Sequence, residues 1–226
     1  MCGRFIQAAS GDALARQLGL ALPAGYSMRY NVAPNQTVLG VRAVADGGRE
    51  LVWLRWGLIP SWSREPRLKY STINARAETV AEKPAYCQAF RQRRCLIPAD
   101  GFYEWRKVGD RKQPYCIGLE ARAPFVFAGL WERWEGEGQA VESCTILVTS
   151  ANERIAEIHD RMPVILDPAD YDAWLDPGAR DPAKLLPLLR SYPAERMRLW
   201  PVGTAVNRPA NQGPELMAAI EDKQSY

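Results

Sequence analysis

Between Val38 and Ile59 apolar and polar positions alternate in two runs, "VLGVRAV" and "ELVWLRWGLI", parted by the turn-forming "ADGGR". A period of two on either side of a Gly-rich turn predicts two antiparallel strands joined by a tight hairpin. The same style recurs in "RCLIPADGFYEWRKVGDRKQPYCIGLE" and "FVFAGLWERWEGEGQAVESCTILVTSA", where β-branched and aromatic runs are separated by Gly- and Asp-rich turns. Antiparallel pairing is therefore expected over βαβ crossovers. Helical spacing is rarer. Residues 11–19 predict a short amphipathic helix, and "NERIAEIHDRMP" predicts another, capped by Asn152, ending before Pro163, with His159 in its last turn. "PADYDAWL", "PAKLLPLLRSY" and "PELMAAIED" predict short helices, with "MRLWPVG" a strand between the last two. The expectation is an α+β fold, one domain over residues 1–226, with an antiparallel, barrel-like β-sheet core and short flanking helices.

Composition adds limits to this picture. The chain has 226 residues, 47% of them hydrophobic and 24% charged, a balance that supports a packed core. The start "MCGRFIQAASGDALARQLGL" lacks the charged head and apolar run of a signal peptide, and no later apolar run reaches membrane-spanning length, so a cytoplasmic protein without a membrane partner is expected. Five cysteines without a C-x-x-C pair argue against a disulfide framework or a zinc knuckle, and the four internal ones are expected to be buried free thiols. His159 is the single histidine, so multi-histidine metal sites are excluded and any acid-base imidazole is this one. No metal or organic cofactor is implied. Net charge is +3, yet Lys and Arg outnumber Asp and Glu by 18 to 10 in residues 1–120 and are outnumbered 11 to 16 in residues 121–226. A basic first half suits a polyanion-binding face, and a solvated mixed surface would produce it equally well.

Four segments set polar residues among apolar ones. In "MCGRF" a cysteine directly follows the initiator methionine, and loss of Met1 would leave an amine and a thiol on neighbouring carbons. Their unperturbed pKa values are about 7.7–8.0 and about 8.5. Asn74 and Arg76 alternate in "STINARAET", so an extended segment projects both to one side, where an amide and a guanidinium can hold a carbonyl and a phosphate; alternatively the arginine pairs with Glu78. Glu104 stands between Tyr103 and Trp105, where desolvation would raise its pKa and suit it to proton transfer, although strand alternation also allows it to face water. His159 follows Ile155 by four residues, the position of a satisfied core histidine or of a base. Trp56 and Trp62 lie near Arg55, Arg64 and Arg67, a mixture of the kind that stacks unpaired bases. G-x-S-x-G, P-loop and G-x-G-x-x-G patterns are absent, which removes the common hydrolase and nucleotide-binding classes.

Taken in order, "MCGRF", "RYNVAPNQ", "WGLIPSW", "INARAET", "RRCLIPADGFYEW", "IHDRMPVIL" and "VNRPANQGPEL" closely resemble the SOS response-associated peptidase (SRAP) family, whose members handle abasic sites in single-stranded DNA. The matches run from residue 2 to about residue 216. The resemblance implies that Met1 is removed and that Cys2 crosslinks to the ring-opened abasic sugar as a thiazolidine, shielding the lesion. It implies that Asn74 positions the sugar and the cysteine while Glu104 and His159 move protons. It further implies that Arg76 binds phosphate, with Arg4 and Arg161 as further contacts, and that Trp62 stacks on DNA and wedges against a duplex. Some members carry two tryptophans there, whereas Trp62 is followed here by Ser63. The implied partners are abasic single-stranded DNA and fork-junction DNA, met by a monomer. A cysteine peptidase using Cys2 and His159, perhaps acting on its own N-terminus, and a non-covalent single-strand binder are the competing expectations; a lyase side activity is compatible with the first reading.

Overall fold

The strand-rich pattern is realised as thirteen strands in two sheets, in a computed structural model that describes residues 2–23, 25–45, 47–66, 68–136 and 138–221. In chain order the strands are β1 (Phe5–Gln7), β2 (Arg29–Val32), β3 (Thr37–Ala43), β4 (Arg49–Trp56), β5 (Asn74–Arg76), β6 (Arg94–Ala99), β7 (Gly101–Val108), β8 (Arg111–Leu119), β9 (Phe125–Gly136), β10 (Gln139–Ser150), β11 (Arg161–Pro163), β12 (Ile165–Leu166) and β13 (Met197–Pro201). Strands β3, β4, β10, β9 and β6 pair in a ring, so the barrel expected from the sequence closes with five strands. Four of its joints are antiparallel; the fifth, between β10 and β4, is parallel. The second sheet runs β13-β8-β7-β1-β2 and is antiparallel throughout.

Gln7 joins the two sheets. Its buried amide donates to the carbonyls of Leu39 (3.1 Å) and Pro98 (2.9 Å) and accepts from the Leu39 N–H (3.1 Å), so β1 is hydrogen-bonded onto β3 and β6 of the barrel. Between them lies an apolar core containing Cys2, Phe5, Val38, Trp56, Cys95, Phe127 and Cys144. Phe5 meets Trp56 and Phe127 edge-to-face, with ring centroids 5.1 and 5.8 Å apart, which fixes the N-terminal segment three residues past Cys2. Truncating Phe5 to alanine is expected to cost about 3–5 kcal/mol of stability, read from the midpoint of a urea melt with unchanged slope. A loss below about 1 kcal/mol would show that the aromatic cluster does not hold this segment.

Helices are few and short: α1 (Gly11–Leu18), α2 (Cys87–Gln92), α3 (Glu153–Ala156), α4 (Tyr171–Leu175) and α5 (Pro182–Leu185). The first matches its expected span, capped by the Ser10 side chain and closed by Gly19 in the left-handed region. The helix expected over "NERIAEIHDRMP" is one turn only. Asn152 caps α3 as predicted, accepting from the Ile155 N–H at 2.9 Å, but Arg161–Pro163 leaves the helical path to pair with β10, so His159 sits in the connection and not in a helix. "PELMAAIED" gives a single 3-10 turn at Pro214–Met217. Strands β1 and β2 carry no predicted counterpart. Of the internal cysteines, Cys95, Cys116 and Cys144 are buried free thiols, while Cys87 at the start of α2 is only partly buried. No helix among the described residues is long and apolar enough to cross a membrane.

Candidate active site

The end of β10 positions the site. Val148 lies in register with Arg76 of β5 on one edge and with Pro163 of β11 on the other, so one strand sets the placement of Asn74, Arg76 and Arg161. Arg161 ties the two edges together: its guanidinium pairs with Glu78, just past β5, and its N–H donates to His159 Nδ1 at 3.0 Å. The Asp160 carboxylate lies 2.9 Å from the same nitrogen. Nδ1 thus faces both a backbone N–H donor and a carboxylate, which fixes the orientation of the ring.

Glu104 lies in β7, flanked by β8 and β1 in the interior of the second sheet, and is buried. Burial pushes its carboxyl above the usual carboxylate range, against the opposing pull of positive charge, His159 included. The ambiguity left by strand alternation is thus resolved in favour of the desolvated position. Cys2 is fully buried, with Sγ 4.0 Å from the Arg4 carbonyl; burial drives its thiol pKa far up, and the neighbouring Glu104 charge raises it further. Cys2, Glu104 and His159 therefore form one electrostatically connected group. A shallow cavity of about 490 Å³ is lined by Glu104, Trp105, Lys112, His159 and Asn207, with Cys2 buried outside its lining.

A second cavity, of about 630 Å³, gathers Trp62, Tyr70, Asn74, Arg76, Lys83 and Tyr86. Asn74 is buried; its Nδ2 donates to the Ile73 carbonyl (3.0 Å), while Oδ1 has no hydrogen-bond partner among the described residues. An unpaired buried acceptor beside a cavity is costly unless a ligand completes it. Arg76 is exposed and, because Glu78 is taken by Arg161, makes no ion pair among the described residues. Trp62 is 58% exposed, whereas Trp56 is fully buried with its indole N–H on the Ile73 carbonyl, so only the former offers a free aromatic face. The loop carrying Trp62 is pinned on both sides, the Ser61 N–H donating to buried Glu132 (3.2 Å) and the Trp134 indole to the Ser63 carbonyl (2.8 Å). Tyr86 donates to the Asn74 carbonyl at 3.3 Å, and burial pushes its hydroxyl up to about 12, which keeps it a donor.

Arg4 is placed differently from Arg76. Its Nη1 donates to Asn31 Oδ1 and to the Val206 carbonyl, both at 2.8 Å, and its guanidinium lies 5.9 Å from the Trp105 ring centre. Sequence reasoning missed Tyr70, Tyr86 and Glu132, which reach the site from loops or across the barrel; an aromatic set among polar residues in "KYST" was the one available signal for Tyr70. Arg67 and Met1 lie outside the described residues.

Residues 1–209 match the family model of the SOS response associated peptidase (SRAP). The chain is 44% identical over 223 residues to the abasic site processing protein YoqW of Bacillus subtilis, covering 96% of this chain and 99% of that protein. It is 31% identical over 227 residues to the abasic site processing protein YedK of Escherichia coli (97% and 100%) and 37% identical over 229 residues to the abasic site processing protein HMCES of Xenopus tropicalis (86% and 67%). Among solved structures, a protein from Bacteroides thetaiotaomicron superimposes with a TM-score of 0.85 at 25% identity, covering 97% of this chain and all of that one.

Proposed function

Since the chain belongs to the SOS response associated peptidase family, we propose that it processes abasic sites in single-stranded DNA by covalent capture, Cys2 closing a thiazolidine on the ring-opened sugar once Met1 is gone. The observation that carries this reading is a buried thiol electrostatically coupled to a buried carboxyl, Glu104, which desolvation holds above the usual carboxylate range. The α-amine of Cys2 adds to the C1′ aldehyde, and His159 relays the proton that the nitrogen sheds to the former carbonyl oxygen. Glu104 then protonates the carbinolamine hydroxyl, which leaves as water as the iminium forms. The carboxylate so produced takes the Sγ proton while sulfur adds to the iminium carbon. One C–N and one C–S bond form, one water is lost and Glu104 returns to its acid form. A thiol peptidase would need the opposite electrostatics, a cysteine whose pKa is lowered by a neighbouring imidazolium.

In this reading Asn74 Oδ1 accepts from the sugar, Arg76 meets a phosphate and Trp62 stacks on an unpaired base. Trp62→Ala is expected to weaken single-strand binding by about 1–3 kcal/mol, roughly five- to 150-fold in Kd. Arg76→Ala should lower the slope of log K against log salt by about 0.7, the share of one phosphate on a single strand. Fluorescence anisotropy titrations at several salt concentrations check both; unchanged affinity and slope would remove this cavity from the DNA path.

Intact-protein mass spectrometry after incubation with an oligonucleotide carrying one abasic site tests the whole reading. The expected product lacks Met1 and is heavier by the oligonucleotide minus one water. A Met1-free protein that gains no mass overturns it.

A further inference from the structure

The hairpin of β7 and β8 continues past Glu104 to a tip rich in positive charge. Lys107 stands directly opposite Lys112 in the register, and Val108 opposite Arg111. Opposed residues of an antiparallel pair share a face, and like charges there weaken the hairpin. Both lysines are exposed, and neither forms an ion pair among the described residues; the one acidic residue between them, Asp110 in the turn, is in no ion pair with either. Trp105, two residues before Lys107, shares that face by strand alternation and is held by its indole N–H on Asn207 Oδ1 at 2.8 Å. Lys112, Trp105 and Asn207 also line the cavity over Glu104 and His159. That cavity and the one holding Trp62 and Arg76 have no lining residue in common. Two cationic surfaces thus border two separate cavities, Lys112 the one lined by Glu104 and His159, Arg76 the one lined by Trp62.

We propose that Lys107 and Lys112 form a phosphate clamp that holds the DNA backbone where the strand leaves the cavity lined by Glu104 and His159, apart from the cavity lined by Trp62. A polyanion between the two ammonium groups converts their repulsion into paired attraction. The clamp rests on the covalent-capture reading for the direction of the strand, but its own binding chemistry needs no aldehyde. It gives the flanking strand a fixed exit on one side of the lesion, so nucleotides on that side add affinity through their phosphates regardless of base.

The test uses the full chain and oligonucleotides in which an unreactive tetrahydrofuran abasic analogue sits in the middle, at the 5′ end or at the 3′ end. Kd is measured over a range of salt for the wild type, for K107A/K112A, for the charge reversal Lys112→Glu, and for R180A/K184A, which removes the same charge near α5. The hairpin variant should lower the salt slope for the central site by about 1.4, two single-strand phosphates, and lose affinity for one of the two end-labelled strands while keeping it for the other. Lys112→Glu should deepen the same one-sided loss, and the α5 variant should match the wild type. Equal losses on both end-labelled strands, an unchanged slope, or an equal effect from the α5 variant would each overturn the clamp. Because the analogue cannot react, failure of the wild type to form an adduct with a true abasic site would sink the capture reading and leave this readout intact.

Discussion

Replacing Cys2 by serine is expected to abolish the proposed heat-stable adduct with abasic single-stranded DNA and to leave strand cleavage in its place. The amine survives the change, so the imine still forms. Closure does not follow, because a hydroxyl is a far weaker nucleophile toward an iminium carbon than sulfur, and its oxygen-containing ring reopens in water. An unclosed imine promotes β-elimination, so nicked oligonucleotide should accumulate as adduct disappears. The measurement is a denaturing gel of labelled oligonucleotide paired with intact mass, for Cys2→Ser and Cys2→Ala. Cys2 is fully buried, and a hydroxyl in that position costs about 1–3 kcal/mol, so a melting curve accompanies the serine variant and alanine supplies the apolar control. A serine protein that still holds the oligonucleotide through heating would refute the thiazolidine.

Glu104→Gln is the second large effect. The amide keeps the shape and loses the transferable proton, so adduct formation should slow by about 10²-fold or more. The wild-type rate should fall as pH rises through the raised carboxyl pKa, and the variant should lack that limb. The variant's stability moves opposite to its rate. A carboxyl whose folded pKa exceeds its unfolded value, about 4.3, contributes stability that is complete below that value and lost as pH rises through the folded pKa. Above that window Glu104→Gln should melt at or above the wild-type temperature while reacting more slowly. A variant that is both slower and markedly less stable there, with the pH limb retained, would make Glu104 a structural residue.

The strands were legible because their runs are rich in β-branched and aromatic residues and are punctuated by Gly-rich segments such as "ADGGR" and "EGEG"; alternating burial is seen in β4, whereas β6, β9 and β10 carry continuous buried runs. The failure at "NERIAEIHDRMP" has a physical cause: Ile155 and Ile158 keep a helical spacing, but Arg161–Pro163 finds its backbone partners in β10 instead of in a further helical turn, which Pro163 would end. Strands of three or four residues such as β1 and β2 carry too few positions to show a period. Within the candidate site, residue types were readable and pairings were not. Glu78 stands two residues from Arg76 in sequence yet bonds Arg161, 83 positions away, and this long-range choice is what leaves Arg76 unpaired. Likewise, Arg4 sits beside Cys2 in the chain but spends Nη1 on Asn31 and Val206.

The pins on either side of Trp62 carry a consequence for the energetics of capture. A large ring on a free loop would surrender its rotational freedom when a base arrives, a loss of about 0.5–1.5 kcal/mol for each side chain immobilised at an interface. Glu132 and Trp134 fix the backbone on either side, and the Trp62 indole N–H donates to the Pro84 carbonyl (3.3 Å), so part of that loss is imposed during folding and more of the entropy given up on binding belongs to the DNA. The aromatic surface acts as a preorganised template, and the strand with its missing base is the flexible partner that conforms to it.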